Sequence, residues 1–211
     1  QQRLSIARAL VKKAPIYILS ILLVTFLIRL GYIFFLRTQV YAVAETESIY
    51  IGGSVKIIFN NMNPGLFFHG SLYFYFISFL YSCLFLAGKI FGWLNTRVDF
   101  MMFFLEKPTV FYFISRMVSV FAGTATVYFI YRLGTYLWNK KTGLLAALLF
   151  SLTPMSLAQG SEASGYAMTN LLIVLSAFYW LRFIKEPRRY GLMKAGFVFG
   201  LALAADYYAL F

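Results

Sequence analysis

Long apolar runs leave this chain few folds to choose from. Five of them, at about 14–36, 111–137, 142–158, 167–184 and 192–211, carry hardly a charge. A helix needs about 20 apolar residues to cross a bilayer. Within hydrocarbon every backbone N–H and C=O must be paired inside the protein, so helices and closed barrels are the spanning forms available. The expected fold is therefore an all-α polytopic membrane protein with about five spanning helices. Composition agrees: 61% of the residues are hydrophobic and 12% charged, where soluble domains have about 45–50% and about 25%. A sixth apolar stretch, at about 65–92, is interrupted by His69, Gly70, Gly88 and Lys89. Gly196 and Gly200 form a small-xxx-small pair, expected to be a helix-packing face.

Charge sets the orientation. The net charge of +12 reads as membrane orientation and not as nucleic-acid binding, because the basic residues sit at the ends of apolar runs and the aromatic ones inside them. Arg3, Arg8, Lys12 and Lys13 precede the first run. Arg132, Lys140 and Lys141 close the 111–137 run, and Arg182, Lys185, Arg188, Arg189 and Lys194 surround Pro187. All three clusters are expected on the cytoplasmic side, with the N-terminus, and the loop 160–166, which has no Lys or Arg, outside. Parity follows: the 65–92 stretch must cross the membrane twice or not at all. Residues 37–110 are therefore expected to form one outer segment with juxtamembrane helices between the first two spans. A single crossing by 65–92, with the charge rule failing at one loop, stays open. The chain reads as one transmembrane module over 1–211, the N-terminal part of a longer catalytic membrane domain.

Cys83, the sole cysteine, lies in an apolar stretch and leaves no intramolecular disulfide or cysteine metal site to form. Acids are more informative. Only seven occur in 211 residues, and Glu45 and Glu47 follow directly on the first span. Carboxylates at a membrane edge are functional candidates, because charge is costly there. His69, Glu162 and Asp206 are placed on the same outer side, with Arg29 and Arg116 near that face. Charges of both signs at one face suit a phosphate-bearing substrate. Arginine grips phosphate through two parallel N–H bonds, and a carboxylate can take a proton from an acceptor hydroxyl or amide. Each has a structural alternative: snorkelling or an acid partner for Arg29, pairing with Glu106 or another acid for Arg116, and a salt bridge to Arg29 or Arg116 for Asp206. Glu162 could be a solvated loop residue. The sequence identifies no certain cofactor; a divalent metal could be held by His69 with carboxylates, although a second ligand cluster is absent.

Ordered along the chain, these features resemble a known superfamily. They are Arg29 at the end of the first span, Glu47-x-x-Tyr50, the segment Asn63-Pro64-Gly65-Leu66-Phe67-Phe68-His69-Gly70, and Ser115-Arg116-Met117. Further on come Trp138-Asn139-Lys140-Lys141-Thr142-Gly143, Thr153-Pro154 and Gly200-Leu201-Ala202-Leu203-Ala204-Ala205. The chain resembles the N-terminal part of the dolichyl-phosphate-mannose–protein mannosyltransferase and aminoarabinose-transferase-like superfamily, which has the C-type glycosyltransferase fold. The resemblance implies a reaction. A sugar leaves a polyprenyl or dolichyl phosphate for a protein, lipid or glycan acceptor at the outer face of the cell membrane.

It also implies Glu47, with Glu45 beside it, as the catalytic acids. Arg29, Tyr50, His69, Arg116, Glu162 and Asp206 would bind substrate. Three departures stand out: Thr46 where the family's motif carries Asp, Tyr166 where many relatives have Asp, and Asp206 where a Lys often follows. These motivate a second reading, a non-catalytic membrane scaffold or accessory subunit with protein partners in a larger complex. A transporter would call for inverted repeats or paired broken helices, and neither is evident.

Overall fold

The computed structural model describes the backbone of residues 2–37, 45–59, 62–65, 69–187 and 189–210, with side chains described except at 2–15, 35–37 and 45. The side chains of Arg3, Arg8, Lys12, Lys13 and Glu45, and residues Leu66 to Phe68 and Arg188, lie outside it. Every described element is helical. In order they are α1 (Gln2–Arg37), α2 (Glu45–Phe59), α3 (Ser71–Ile90), α4 (Arg97–Glu106), α5 (Pro108–Leu137), α6 (Lys140–Leu152), α7 (Pro154–Gln159), α8 (Tyr166–Lys185) and α9 (Gly191–Ala205), followed by a 3-10 turn at Tyr207–Leu210.

Local chemistry sets several of these boundaries. Thr96 and Asp99 close a reciprocal capping box at the start of α4, satisfying backbone donors that the first turn leaves unpaired. Asn139 caps α6, its Oδ1 accepting from the N–H groups of Lys141 and Thr142 at 3.0 Å each. Pro108 and Pro154 stand in the first turns of α5 and α7, where a missing N–H costs nothing. Pro154 also interrupts the 142–158 run, since a proline cannot donate back into the preceding turn. Asp206 ends α9 in an extended conformation, and its Oδ1 accepts from the Tyr208 N–H at 3.3 Å. It therefore terminates the last apolar run instead of sitting inside a helix.

Among the described residues four helices are long and apolar enough to cross a membrane: Ile16–Phe34 within α1, then α3, α5 and α8. The expected run at 142–158 is instead two short helices, and α9 has 15 residues. The all-helical polytopic class holds, but α3 joins the candidate spans.

α5 is the central post, packed on α1, α6 and α8, with α9 against α8. Where α5 crosses α6, a Cβ on Gly134 would lie 2.9 Å from the Gly143 Cα. Neither residue leaves room for a side chain there. Gly196 and Gly200 do not play that part, since a Cβ on either would meet nothing within 4 Å. Ser176 makes the α8–α9 contact instead, its hydroxyl donating to the Ala195 carbonyl at 2.9 Å. Around the first turns of α5, helices α2, α3 and α4 build an aromatic core from Tyr50, Tyr73, Phe74, Tyr81, Phe100 and Phe111. Edge-to-face pairs such as Tyr81–Phe111, at 4.9 Å, fill it.

Candidate functional site

The polar side chains gather at one end of the bundle, where α2 meets the start of α5, the α7–α8 loop and the end of α9. Glu47, in the first turn of α2, is the centre. Its Oε1 accepts from Arg116 Nε at 2.9 Å and from the Ala163 backbone N–H at 2.6 Å, and its Oε2 accepts from Arg116 Nη2 at 2.6 Å. Both side chains are buried, at 1% and 2% exposed. A two-pronged arginine–carboxylate pair is strong and directional. Burial without such a partner would leave either charge at a cost of several kcal/mol. Arg116 also lies 5.4 Å from the Tyr112 ring centre. This pair joins three elements that the sequence separates widely.

A second knot forms on Asp206, which is 4% exposed. The Tyr50 hydroxyl donates to its Oδ2 at 2.7 Å, and His69 Nδ1 sits 3.2 Å from the same oxygen. Burial, and then the carboxylate itself, push the Tyr50 hydroxyl upward, so it stays protonated and donating. The Tyr50 and His69 rings lie 5.0 Å apart, tilted by 41°. Gly165 closes the floor: a Cβ there would lie 3.1 Å from the Ala205 carbonyl oxygen and 3.4 Å from the Tyr50 hydroxyl. Tyr208 extends the network, its hydroxyl donating to Asn170 Oδ1 at 2.6 Å and lying 3.0 Å from the Tyr166 carbonyl oxygen.

Arg29 stands apart from both knots. It is 1% exposed and threads between Gly123 and Gly160, where a Cβ on either residue would strike its Nη1. Its Nη1 donates to the Ser156 carbonyl at 2.8 Å and its Nη2 to the Ser156 hydroxyl at 2.9 Å. Its Nε has no hydrogen-bond partner among the described residues. A cleft of about 230 Å³ opens beside it, walled by Ile28, Tyr32, Pro154 and Leu157. A larger cavity of about 320 Å³ lies between the end of α1 and the start of α5, with Arg116 on its wall among Ile33, Phe34, Val110 and Phe113.

Glu162 lies between these features on the α7–α8 loop. Burial, and then the charge of Glu47, push its carboxyl above the usual range against the pull of Arg116. Half-buried beside the Glu47 carboxylate, it holds a proton more readily than a free carboxyl does.

The structure thus brings together Glu47 with Arg116, Tyr50 and His69 with Asp206, and sets Glu162 next to the first pair. Arg116 pairs with Glu47 and not with Glu106, and Asp206 meets Tyr50 and His69 instead of either arginine. Arg29 is held by Ser156. Ala163, Ser156 and Tyr208 escaped the sequence reading because they act through backbone groups or a hydroxyl. The run Gly160-Ser161-Glu162-Ala163-Ser164-Gly165 carried a signal, since small residues let a loop approach a buried carboxylate closely. Among the described residues no group of three His, Cys, Asp or Glu side chains stands ready for a metal ion.

Residues 112–211 match the family model described as dolichyl-phosphate-mannose-protein mannosyltransferase. No curated protein and no solved structure matches the chain. The matched part holds Arg116, Glu162 and Asp206, while Glu47, Tyr50 and His69 precede it.

Proposed function

We propose that this chain, which belongs with the mannosyltransferase-like superfamily of membrane proteins, moves a sugar from a polyprenyl- or dolichyl-phosphate donor to an acceptor at the outer membrane face. The observation that carries the proposal is the 320 Å³ cavity with Arg116, the buried partner of Glu47, on its wall. That cavity is apolar on most of its wall and cationic at one point, as a lipid phosphate requires.

In this reading the donor phosphate takes Arg116 as its counter-ion and draws it from Glu47. The acceptor oxygen attacks the anomeric carbon, the bond from that carbon to the phosphate oxygen breaks, and Glu47 receives the acceptor's proton. The products are the glycosylated acceptor and a free lipid phosphate, so no nucleotide sugar enters. Tyr50, His69, Glu162 and Asp206 shape and charge the same face, Arg29 binds substrate from the separate cleft beside it, and Glu45 lies two residues before Glu47. The test is Glu47→Gln, assayed in membranes by release of polyprenyl phosphate from polyprenyl-phosphate mannose. Turnover should fall by about 10²–10⁴, the range general base catalysis supplies; undiminished turnover would sink Glu47 as the base.

The saturation of Glu47 by three hydrogen bonds supports a second reading, an accessory membrane subunit in which the pair only holds α2 to the bundle. Purification with a stoichiometric partner, and no lipid phosphate released from any donor offered, would favour it.

A further inference from the structure

At the opposite end of the bundle, α8 ends and α9 begins around a second polar feature that the glycosyl-transfer reading does not use. A cavity of about 200 Å³ opens between the two helices. Arg182, Arg189 and Lys194 stand on its wall with Glu186, so cations outnumber acids three to one there. Tyr179 and Phe183 form an apolar floor, and Gly191 brings the start of α9 against it: a Cβ on Gly191 would lie 2.9 Å from the Phe183 ring. The first turn of α9 has no side-chain cap. Its unpaired N–H groups and the positive end of its dipole therefore face the same space. Arg189 stacks 5.7 Å from the Tyr190 ring centre, which keeps its guanidinium at the rim.

We propose that this pocket binds the phosphate of an anionic lipid headgroup in the leaflet at the basic end of the bundle. Three features distinguish it from a merely basic loop: a formed cavity, an uncapped helix start, and cations contributed by both helices and their turn. Its volume falls below the about 300–1,000 Å³ of small-molecule sites, so it fits a headgroup and not a nucleotide. Basic pockets between helices on the cytoplasmic side are where anionic lipid headgroups bind. The inference rests on the chain being membrane-embedded and not on glycosyl transfer. Loss of turnover with lipid binding intact would separate the two.

Native mass spectrometry of the detergent-purified full chain, offered phosphatidylglycerol, phosphatidylcholine or inorganic phosphate, tests it. Phosphatidylglycerol should be retained and phosphatidylcholine not. The triple variant Arg182→Gln, Arg189→Gln, Lys194→Gln should bind phosphatidylglycerol about a hundredfold more weakly. Lys140→Gln with Lys141→Gln, which removes basic charge elsewhere on the same end, should bind as the parent does. Equal retention by the triple variant overturns the proposal, and so does an equal loss in the Lys140/Lys141 variant. Displacement of the lipid by inorganic phosphate at equal concentration assigns the pocket to soluble phosphate and overturns the lipid as its occupant. A rise in Tm on adding phosphatidylglycerol, present in the parent and absent from the triple variant, provides a reading independent of spectrometry.

Discussion

The Glu47–Arg116 pair shows what a buried charge demands of its surroundings. Glu47→Ala leaves an arginine enclosed without its counter-charge, and an uncompensated buried ion costs about 3–5 kcal/mol. The double variant with Arg116→Ala should therefore be less destabilised than the sum of the two singles, as equilibrium unfolding in mixed micelles would register. Additive singles would mean that the pair contributes no coupling. Glu162 provides a pH test. Its folded carboxyl titrates above the ordinary value of 4.5, so the folded state binds that proton more tightly than the unfolded one. Stability from this group is present below 4.5 and is lost as pH rises through the raised value. Glu162→Gln should consequently raise Tm by a few degrees at neutral pH, about 1 kcal/mol or less for a group still partly in water, and the gain should vanish in acid. At this scale the sequence was legible through charge in apolar surroundings, which singled out Glu47, Arg116, His69 and Asp206. The partners were not legible. Glu47 and Arg116 are 69 residues apart and Tyr50 and Asp206 are 156 apart, and no local spacing encodes such meetings.

At the scale of elements, α3 is the open question of topology. Its length and composition alone would let it cross a membrane, while the distribution of basic residues calls for an even number of crossings over 65–92. We propose that α3 lies along the membrane surface. Tyr73 donates to the Ser115 carbonyl at 3.4 Å, and Tyr81, two turns further along α3, reaches the Phe111 carbonyl at 3.1 Å and the Ser115 hydroxyl at 2.7 Å. As α3 advances from Tyr73 to Tyr81, its partners on α5 move from Ser115 toward Phe111, the start of that helix. Its own start abuts the end of α9, where a Cβ on Gly70 would lie 2.5 Å from the Ala204 carbonyl oxygen. Because Cys83 is the only cysteine, a Cys83→Ser background allows a direct check. Asn63→Cys and Asn95→Cys flank α3, and an impermeant maleimide should label both from the outside of intact cells. Labelling of one alone would make α3 a span. Asn139, Pro108 and Pro154 stand at helix starts, a signal that a reading by apolar runs does not use. The apolar runs misled at 142–158 and 192–211, where a proline and an aspartate stop helices that hydropathy would continue.

Across the whole molecule, charge is sorted by end. Glu47, His69, Glu162 and Asp206 meet at the end where α5 begins, while Arg132, Lys140, Lys185 and Arg189 lie toward the end where α5 finishes. The helices between them contribute apolar faces and hydroxyls, so the two ends are chemically unlike and the molecule has a direction. Because Lys and Arg in short loops hold to the cytoplasmic side, we propose that the acid-rich end lies outside, where a lipid-linked sugar would be met without any nucleotide donor. Asn139, at the α5–α6 turn, is exposed beside Lys140 and Lys141. In the Cys83→Ser background, Asn139→Cys should resist an impermeant maleimide in intact cells and react fully once the membrane is permeabilised, whereas Asn63→Cys should react in both. The reverse pattern would invert the molecule. A cytoplasmic Glu47 would then require a donor presented in that compartment, and the outer-face transfer reading would fail while the fold stood unchanged.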